Sequence, residues 1–484
     1  MSASPDPKPI HSCDVTVLGA GPAGAAAAIE AAALGLRVVL LDEQAIAGGQ
    51  VYRAVPGIRP AHADRDRAEG DRLRKGLADA NVDRCFGHRV WHVERVGKEW
   101  QVHALGPDGP RTVHSAALIV ATGAQERHVP FAGWERPGVI GLAAATILLK
   151  AQRILPGRNV VVAGTGPLLL VAAKAIVEGG GRVAAIVDAN PRSAWFAHAA
   201  DLLSRPDLLA RGIGWVRKLR SDGVPILHGY LLRAVEGDVP SLRATAVPVD
   251  RAGHARAGAA MAEFACDAVC CGFGLMPATD VTRLAGASHA YDPARGGWHV
   301  IVDVDQRCDV PGLYAAGDGA GVVGAAAAPL QGRIAALAAA RDLGRIDART
   351  RGARAAKRAL ARTARFGLAM TQIANVGNGT VASIPADVIV CGCERLARGA
   401  LDEAIDDGCA TINDLKAATR CGMGSCGGRL CEDTAARLIA LRTGRTRADI
   451  GQATGRPPLR PVDLDALAGG FDYDALPMAT PAPL

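Results

Sequence analysis

The chain has 484 residues, 49% hydrophobic and 21% charged, which gives room for about three domains of ordinary globular composition. Aromatic residues are only 4%, and the net charge of +7 comes from arginines scattered among Asp and Glu with eight lysines and no basic stripe, which argues against a nucleic-acid partner. Twelve cysteines behind a polar, proline-rich N-terminus predict a reducing, cytoplasmic setting without disulfides, and no apolar run reaches the roughly 20 residues of a membrane span.

The first regular elements are a buried strand at Asp14–Leu18, an Ala-rich helix from Pro22 to Leu34 and a second buried strand at Arg37–Leu41, which together make a βαβ unit. Gly19-Ala-Gly21-Pro-Ala-Gly24 falls where the first strand turns into the helix. Glycines there permit a tight turn and let backbone N–H groups and the helix N-terminus approach a pyrophosphate. Asp42 closes the next strand at the spacing of a ribose-binding carboxylate, with Glu43 as a second candidate.

An Arg/Asp-rich helical stretch and alternating strands fill 54–115, and a second βαβ unit then runs from Asn159–Ala163 to Arg182–Val187. Its loop, Gly164-Thr-Gly166-Pro-Leu-Leu169, keeps two of three glycines, with Leu169 in place of the third. Asp188 ends the following strand and suits a free 2′-hydroxyl better than a 2′-phosphate. Three readings of this second site stand side by side: NAD(H), another adenine nucleotide, or a structural fold without a ligand. Cys266, Cys270 and Cys271 lie in an apolar strand and read as buried, inert thiols.

After an Arg/Ala-rich helical linker, Cys391-Gly-Cys393 is followed by thirty-two residues and then Cys426-Gly-Gly-Arg-Leu-Cys431. Four thiolates in two short loops around a small helical body suit a [2Fe–2S] centre, with tetrahedral zinc as the competitor. Thr411 and Asp414 are spaced as an N-terminal cap for one of the helices between them. Cys421 lies five residues before Cys426 and is an alternative ligand, and Cys409 is a further departure.

Gly48-Gly49-Gln50, Ile119-Val-Ala-Thr122-Gly123 and Val310-Pro-Gly-Leu-Tyr-Ala-Ala-Gly317-Asp318 resemble the later fingerprints of the two-dinucleotide-binding flavoprotein superfamily. That resemblance implies FAD at the first site, with Asp318 on its ribityl chain and a helix after Gly321 aimed at the flavin. No Cys-x-x-Cys or Cys-x4-Cys pair stands beside the expected flavin, which disfavours a disulfide reductase. The cysteine segment resembles the bacterioferritin-associated-ferredoxin-like [2Fe–2S] domain.

Together these imply an α/β, two-dinucleotide-binding-domain flavoprotein. The expected organisation is a tail (1–11), a discontinuous FAD-binding domain (12–154 and 266–345), a second nucleotide-binding domain (155–265), a helical linker (346–387), a [2Fe–2S] domain (388–450) and a C-terminal tail (451–484).

Across about 12–470 the chain is similar to the α-type subunit of heteromeric, dye-linked amino-acid and imino-acid dehydrogenases. Phe131-Ala-Gly-Trp134, Gly164–Leu170, Cys271-Gly-Phe-Gly-Leu-Met276 and Arg456–Pro461 fit that group. The family implies an electron-transfer subunit, with the C–N bond of an amino acid, imino acid or opine oxidised in a partner resembling D-amino-acid oxidases. An electron acceptor and a small ferredoxin-like subunit are further expected partners. No His, Tyr or Arg stands in a motif that orients an amino acid over a flavin, so no catalytic acid or base is assigned. The alternatives are a self-contained NAD(H):acceptor reductase and an assembly subunit whose cofactors are structural.

Overall fold

The computed structural model of the chain describes residues 11–54, 65–347 and 352–468. His11–Leu18 pairs in parallel with Val38–Asp42 on one side and Gly109–Val120 on the other, with Val15 opposite both Val38 and Ala117. Val82–Phe86 extends this sheet past Val38–Asp42, Leu313–Ala315 joins Gly109–Val120 in parallel, and Glu99–Gly106 and Arg89–Val96 continue it antiparallel, for seven strands in all. Its central strands are continuous apolar runs because both faces are covered: Val15, Val17, Leu40 and Ile119 are wholly buried.

Helices Pro22–Ala33 and Ala328–Asp342 lie on one face, and here the Ala-rich composition has a purpose. A Cβ on Gly332 would stand 2.0 Å from the Ala23 carbonyl oxygen, so the two helices meet backbone to backbone. The helix expected after Gly321 runs from Ala328. Residues 321–327 form a turn whose amides Val323 and Gly324 are held by the Asp318 carboxylate.

The second sheet is parallel throughout, in the order Ile226–His228, Arg182–Asp188, Asn159–Gly164, Ala268–Gly272, Val139–Gly141. Two of its five strands fall outside the expected 155–265. Ala-Val-Cys-Cys-Gly at 268–272 is apolar along its whole length and buried on both faces, so it serves as a central strand beside Asn159–Gly164 and draws Val139–Gly141 in behind it. The short antiparallel pair Ala124–Glu126 and Leu275–Pro277 marks the two crossings between the sheets.

Only part of the expected linker is one helix, Gly352–Ile373, followed by a short turn of helix at Asn378–Ala382. The hairpin of Ile389–Cys391 with Leu396–Ala397 then opens a small helical body of Arg398–Asp406, Ile412–Thr419 and Glu432–Thr443. Thr411 and Asp414 form the reciprocal cap expected of them. This body shares its apolar core, Val390, Leu401, Leu415 and Ile439, with Val129 and Phe273 of the flavoprotein portion. Among the described residues no helix is long and apolar enough to cross a membrane.

Candidate cofactor sites

At the first dinucleotide loop two glycines are sterically required. Gly19 has φ +98° and a Cβ there would meet the Ala121 carbonyl oxygen at 2.4 Å, while a Cβ on Gly24 would lie 1.8 Å from the Gly19 oxygen. Gly21 caps helix Pro22–Ala33 without any side-chain partner, which leaves the first helical N–H groups free to hold an anion. Gly49, at φ +57°, has room for a Cβ only 2.9 Å from the Gly21 Cα, so it closes the cradle from the opposite side.

Asp42 is tied into this loop: one carboxylate oxygen accepts from Ala20 N at 2.5 Å and the other from Gln44 N at 2.7 Å. Burial pushes its carboxyl above the ordinary value, and each oxygen keeps a second lone pair for a ribose hydroxyl. Glu43 and Gln50 are exposed at the rim. Thr122 Oγ1 donates to the Ala278 carbonyl at 3.0 Å beside Gly123, and Gly317 packs against helix Pro22–Ala33 with room for a Cβ only 3.0 Å from Ala23 Cβ. One Asp318 oxygen accepts both Val323 N at 3.1 Å and Gly324 N at 3.0 Å, and burial raises that carboxyl too. The cradle, the acidic strand end and the Gly-Asp turn converge on one side of the first sheet, and their donor and acceptor set fits FAD.

The second loop is built alike but filled differently. Thr165 Oγ1 donates to the Ala374 carbonyl at 2.8 Å, and Asn190 Nδ2 donates to the Ile373 carbonyl. A Cβ on Gly166 would meet Ala374 Cβ at 2.5 Å. The C-terminal end of helix Gly352–Ile373, its negative pole, therefore sits on the glycine loop where a pyrophosphate would have to lie. Gly164 keeps its role in the fold, since a Cβ there would be 1.8 Å from the Gly272 oxygen. Asp188 is buried, with its oxygens accepting Asn190 N at 3.0 Å and facing His228 Nδ1 at 3.3 Å. Leu169 is buried in the core of the second sheet.

In the cysteine module the Sγ atoms of Cys391, Cys421 and Cys431, all buried, lie within 4.8 Å of one another. Cys393, which is exposed, and Cys426, which is half-buried, hydrogen-bond to each other. Of the four expected ligands the structure thus gathers Cys391 and Cys431 with the alternative Cys421, and sets Cys393 beside Cys426. Loop amides turn inward as the glycines suggest. Cys391 accepts from Gly422 and Glu394, Cys426 from Leu430 and Gly428, and the Cys426 N–H holds the Cys393 thiol below its ordinary pKa. Gly424 is the close-approach point, since a Cβ there would come 2.1 Å from Cys393 Cβ. Thiolate donors with converging N–H groups suit an iron–sulfur centre. Cys409 lies apart, and burial keeps Cys270 and Cys271 protonated, the latter pushed up to about 12.

The charged joint between the two portions escaped the sequence. Arg127 Nε meets Asp433 Oδ2 at 3.1 Å, with Arg437 and Arg447 on the same carboxylate at 2.9 and 3.0 Å. Asp433 and Arg437 are an i, i+4 pair on one helix, whereas Arg127 is 306 residues away.

The sequence matches the family described as pyridine nucleotide-disulphide oxidoreductase over residues 13–344 and the sarcosine oxidase A3 domain over 391–470. An opine oxidase subunit of Agrobacterium tumefaciens (strain Ach5) is 35% identical over 471 residues, covering 94% of this chain and 91% of that protein. Hydrogen cyanide synthase subunit HcnB of Pseudomonas aeruginosa is 30% identical over 474 residues, covering 93% and 97%. In fold, the chain resembles the L-proline dehydrogenase from P. horikoshii, with a TM-score of 0.70 at 20% identity over 95% of this chain and 80% of the other. The chain belongs to the pyridine nucleotide-disulphide oxidoreductase family of flavin oxidoreductases, in the group that carries a C-terminal sarcosine oxidase A3 domain.

Proposed function

We propose that the chain is the FAD- and [2Fe–2S]-binding electron-transfer subunit of a heteromeric dehydrogenase or oxidase. The complex acts on the C–N bond of an amino acid, imino acid or opine, and that bond is oxidised in a partner subunit resembling D-amino-acid oxidases. The observation that carries this reading is the contrast between the two dinucleotide loops. One is a complete cradle, whereas the other is filled by the chain's own Ile373 and Ala374. A flavoprotein whose nicotinamide side is closed takes its electrons from elsewhere, and the relatives named as subunits of an opine oxidase and of a hydrogen cyanide synthase support a partner subunit.

Within this reading Gly19, Gly21, Gly24 and Gly49 receive the pyrophosphate, Asp42 orients the ribose, and Thr122, Gly123, Gly317 and Asp318 place the remainder of FAD. Cys391, Cys393, Cys426 and Cys431 hold the cluster, and at the loop of Gly164, Gly166 and Asp188 the linker helix, held by Thr165 and Asn190 and packed on Gly166, stands in place of NAD(H) or another adenine nucleotide. FAD accepts electrons in pairs and a [2Fe–2S] centre passes them singly, which is what the pairing of the two sites supplies.

Stopped-flow bleaching at the flavin band tests the proposal. Reduction by an amino-acid donor only when a co-purified partner is present is the expected result, and rapid bleaching by NADH alone overturns it.

A further inference from the structure

Where the C-terminal domain meets the flavoprotein portion, a cavity leaves about 520 Å³ of empty space, part of it open to solvent. Its lining includes Arg283, Arg447 and Trp298, and the loop Gly427–Arg429 between the cysteines. None of the residues expected to bind FAD or the cluster lines it.

The cavity's own lining pairs Arg283, Arg429 and Arg447 with Asp280, Glu432 and Asp433, and an excess of positive charge lies just behind it, where Arg127 and Arg437 also reach Asp433. Asp433 receives Arg127, Arg437 and Arg447, while Asp280 receives Arg283 at 2.9 Å and Arg429 at 2.5 Å, and Glu432 receives Arg283 at 3.3 Å. Five guanidiniums face three carboxylates, an excess of two positive charges, and none of the eight side chains is more than 21% exposed. The strain of this crowding is visible at Arg127, whose pKa is lowered by burial, with Arg437 and Arg447 adding to it and Asp433 opposing it.

Buried cations without counter-charges are costly, and an anion relieves the cost. Donors remain for it: Arg283 Nε, Arg447 Nε and Trp298 Nε1 are buried and make no hydrogen bond. A cation has nothing comparable to bind, because all three carboxylates are already engaged by guanidiniums. Trp298 is braced edge-on against Tyr291, with ring centroids 5.7 Å apart, and the Arg447 guanidinium lies 4.9 Å over the same tyrosine ring, so both side chains are held in place without an anion.

We propose that this cavity is a binding site for a compact dianionic oxyanion, a phosphate group or a dicarboxylate, held by Arg283, Arg447 and Trp298. An anion there touches both domains at once, so its occupancy fastens the cysteine module to the flavoprotein portion.

The test uses the full-length protein saturated with FAD, so that the Gly19 loop is filled. Inorganic phosphate and succinate are titrated separately by calorimetry and by thermal melting, against sodium chloride at matched ionic strength. At least one of the two is expected to bind saturably and to raise the melting temperature with concentration. Its affinity should fall about tenfold or more in both Trp298→Phe and Arg447→Gln, as the loss of a hydrogen bond to a charged group predicts. Trp298→Phe keeps the ring against Tyr291 and guards against reading unfolding as lost binding. Saturation by phosphate alone assigns a phosphate ligand, and saturation by succinate alone a dicarboxylate. No saturable binding by either, or unchanged affinity in both variants, overturns the site.

Discussion

Thr165 Oγ1 and the carbonyl oxygen of Ala374 are 209 residues apart in sequence and 2.8 Å apart in space. The contact places the end of the linker helix on the glycine loop of the second dinucleotide fold, and it makes that loop a receptor for the chain itself. NADH is therefore expected neither to bind at the Gly164 loop nor to quench the flavin of the isolated chain, as equilibrium titration will show. Thr165→Val removes the hydrogen bond and leaves a buried carbonyl without this partner, a loss of about 1–2 kcal/mol measurable by denaturant unfolding. An NADH affinity that weakens in Asp188→Ala would falsify the closure.

The joint between the two portions rests on Asp433, a single carboxylate among three arginines. Burial alone would raise its pKa, but Arg437, Arg127 and Arg447 hold it far below the usual carboxylate range. A depressed folded pKa contributes stability that is full above the ordinary value of 3.8 and is lost only as the pH falls below it toward the folded value. The joint should thus persist through mild acid. Asp433→Asn is expected to cost about 3–5 kcal/mol, the range for an uncompensated buried charge, whereas Arg127→Met, which leaves two arginines on the carboxylate, should cost less. Limited proteolysis reads the difference as release of the C-terminal module.

Much of this architecture was legible in the sequence, and what was not shares one physical cause. The tie of the Asp42 strand end to the Gly19 loop and the cap of Thr411 with Asp414 depend on neighbours within about two dozen residues, so spacing alone exposes them, and the Gly-Asp turn at Asp318 was legible through its resemblance to a known fingerprint. The filling of the Gly166 loop by Ala374, the pairing of Arg127 with Asp433 and the capture of Ala268–Gly272 as a central strand of the second sheet depend on contacts between distant segments. Leu169 hinted at the first of these, because a loop that has lost its third glycine has less need to admit a dinucleotide.

Glu126 sits at the crossing between the sheets, with both carboxylate oxygens near Ala143 N at 3.1 and 3.2 Å. Burial pushes its carboxyl up to about 7 from an ordinary 4.5, against the pull of the Ala143 and Leu142 amides. Stability contributed by such a raised group is full below about 4.5 and is lost as the pH rises through about 7. Glu126→Gln, which stays neutral and keeps one acceptor, should therefore gain about 1–3 kcal/mol over the parent at pH 8 and little at pH 4.5. Melting curves across that window check the slope, and equal shifts at both ends would refute a titrating carboxyl.

The cysteine loop offers five thiols for a centre that needs four, and the arrangement tells them apart. On the buried side Cys431 hydrogen-bonds to both Cys421 and Cys391, and on the more open side Cys393 and Cys426 hydrogen-bond to each other. Cys421 belongs to the buried group, its sulfur within 4.8 Å of those of both Cys391 and Cys431. A two-iron centre spanning both sides uses Cys391, Cys393, Cys426 and Cys431 and leaves Cys421 as a packed thiol, whereas a single metal held by the buried trio requires Cys421 and spares Cys393 and Cys426. Serine substitutions at all five positions, read by iron and zinc content and visible absorbance, separate these arrangements. Cys421→Ser is expected to keep its iron, and each of the other four to lose the visible band. Retention of the full cluster in Cys426→Ser together with its loss in Cys421→Ser would reverse the assignment, and stoichiometric zinc without iron would replace the cluster by a structural tetrahedral site.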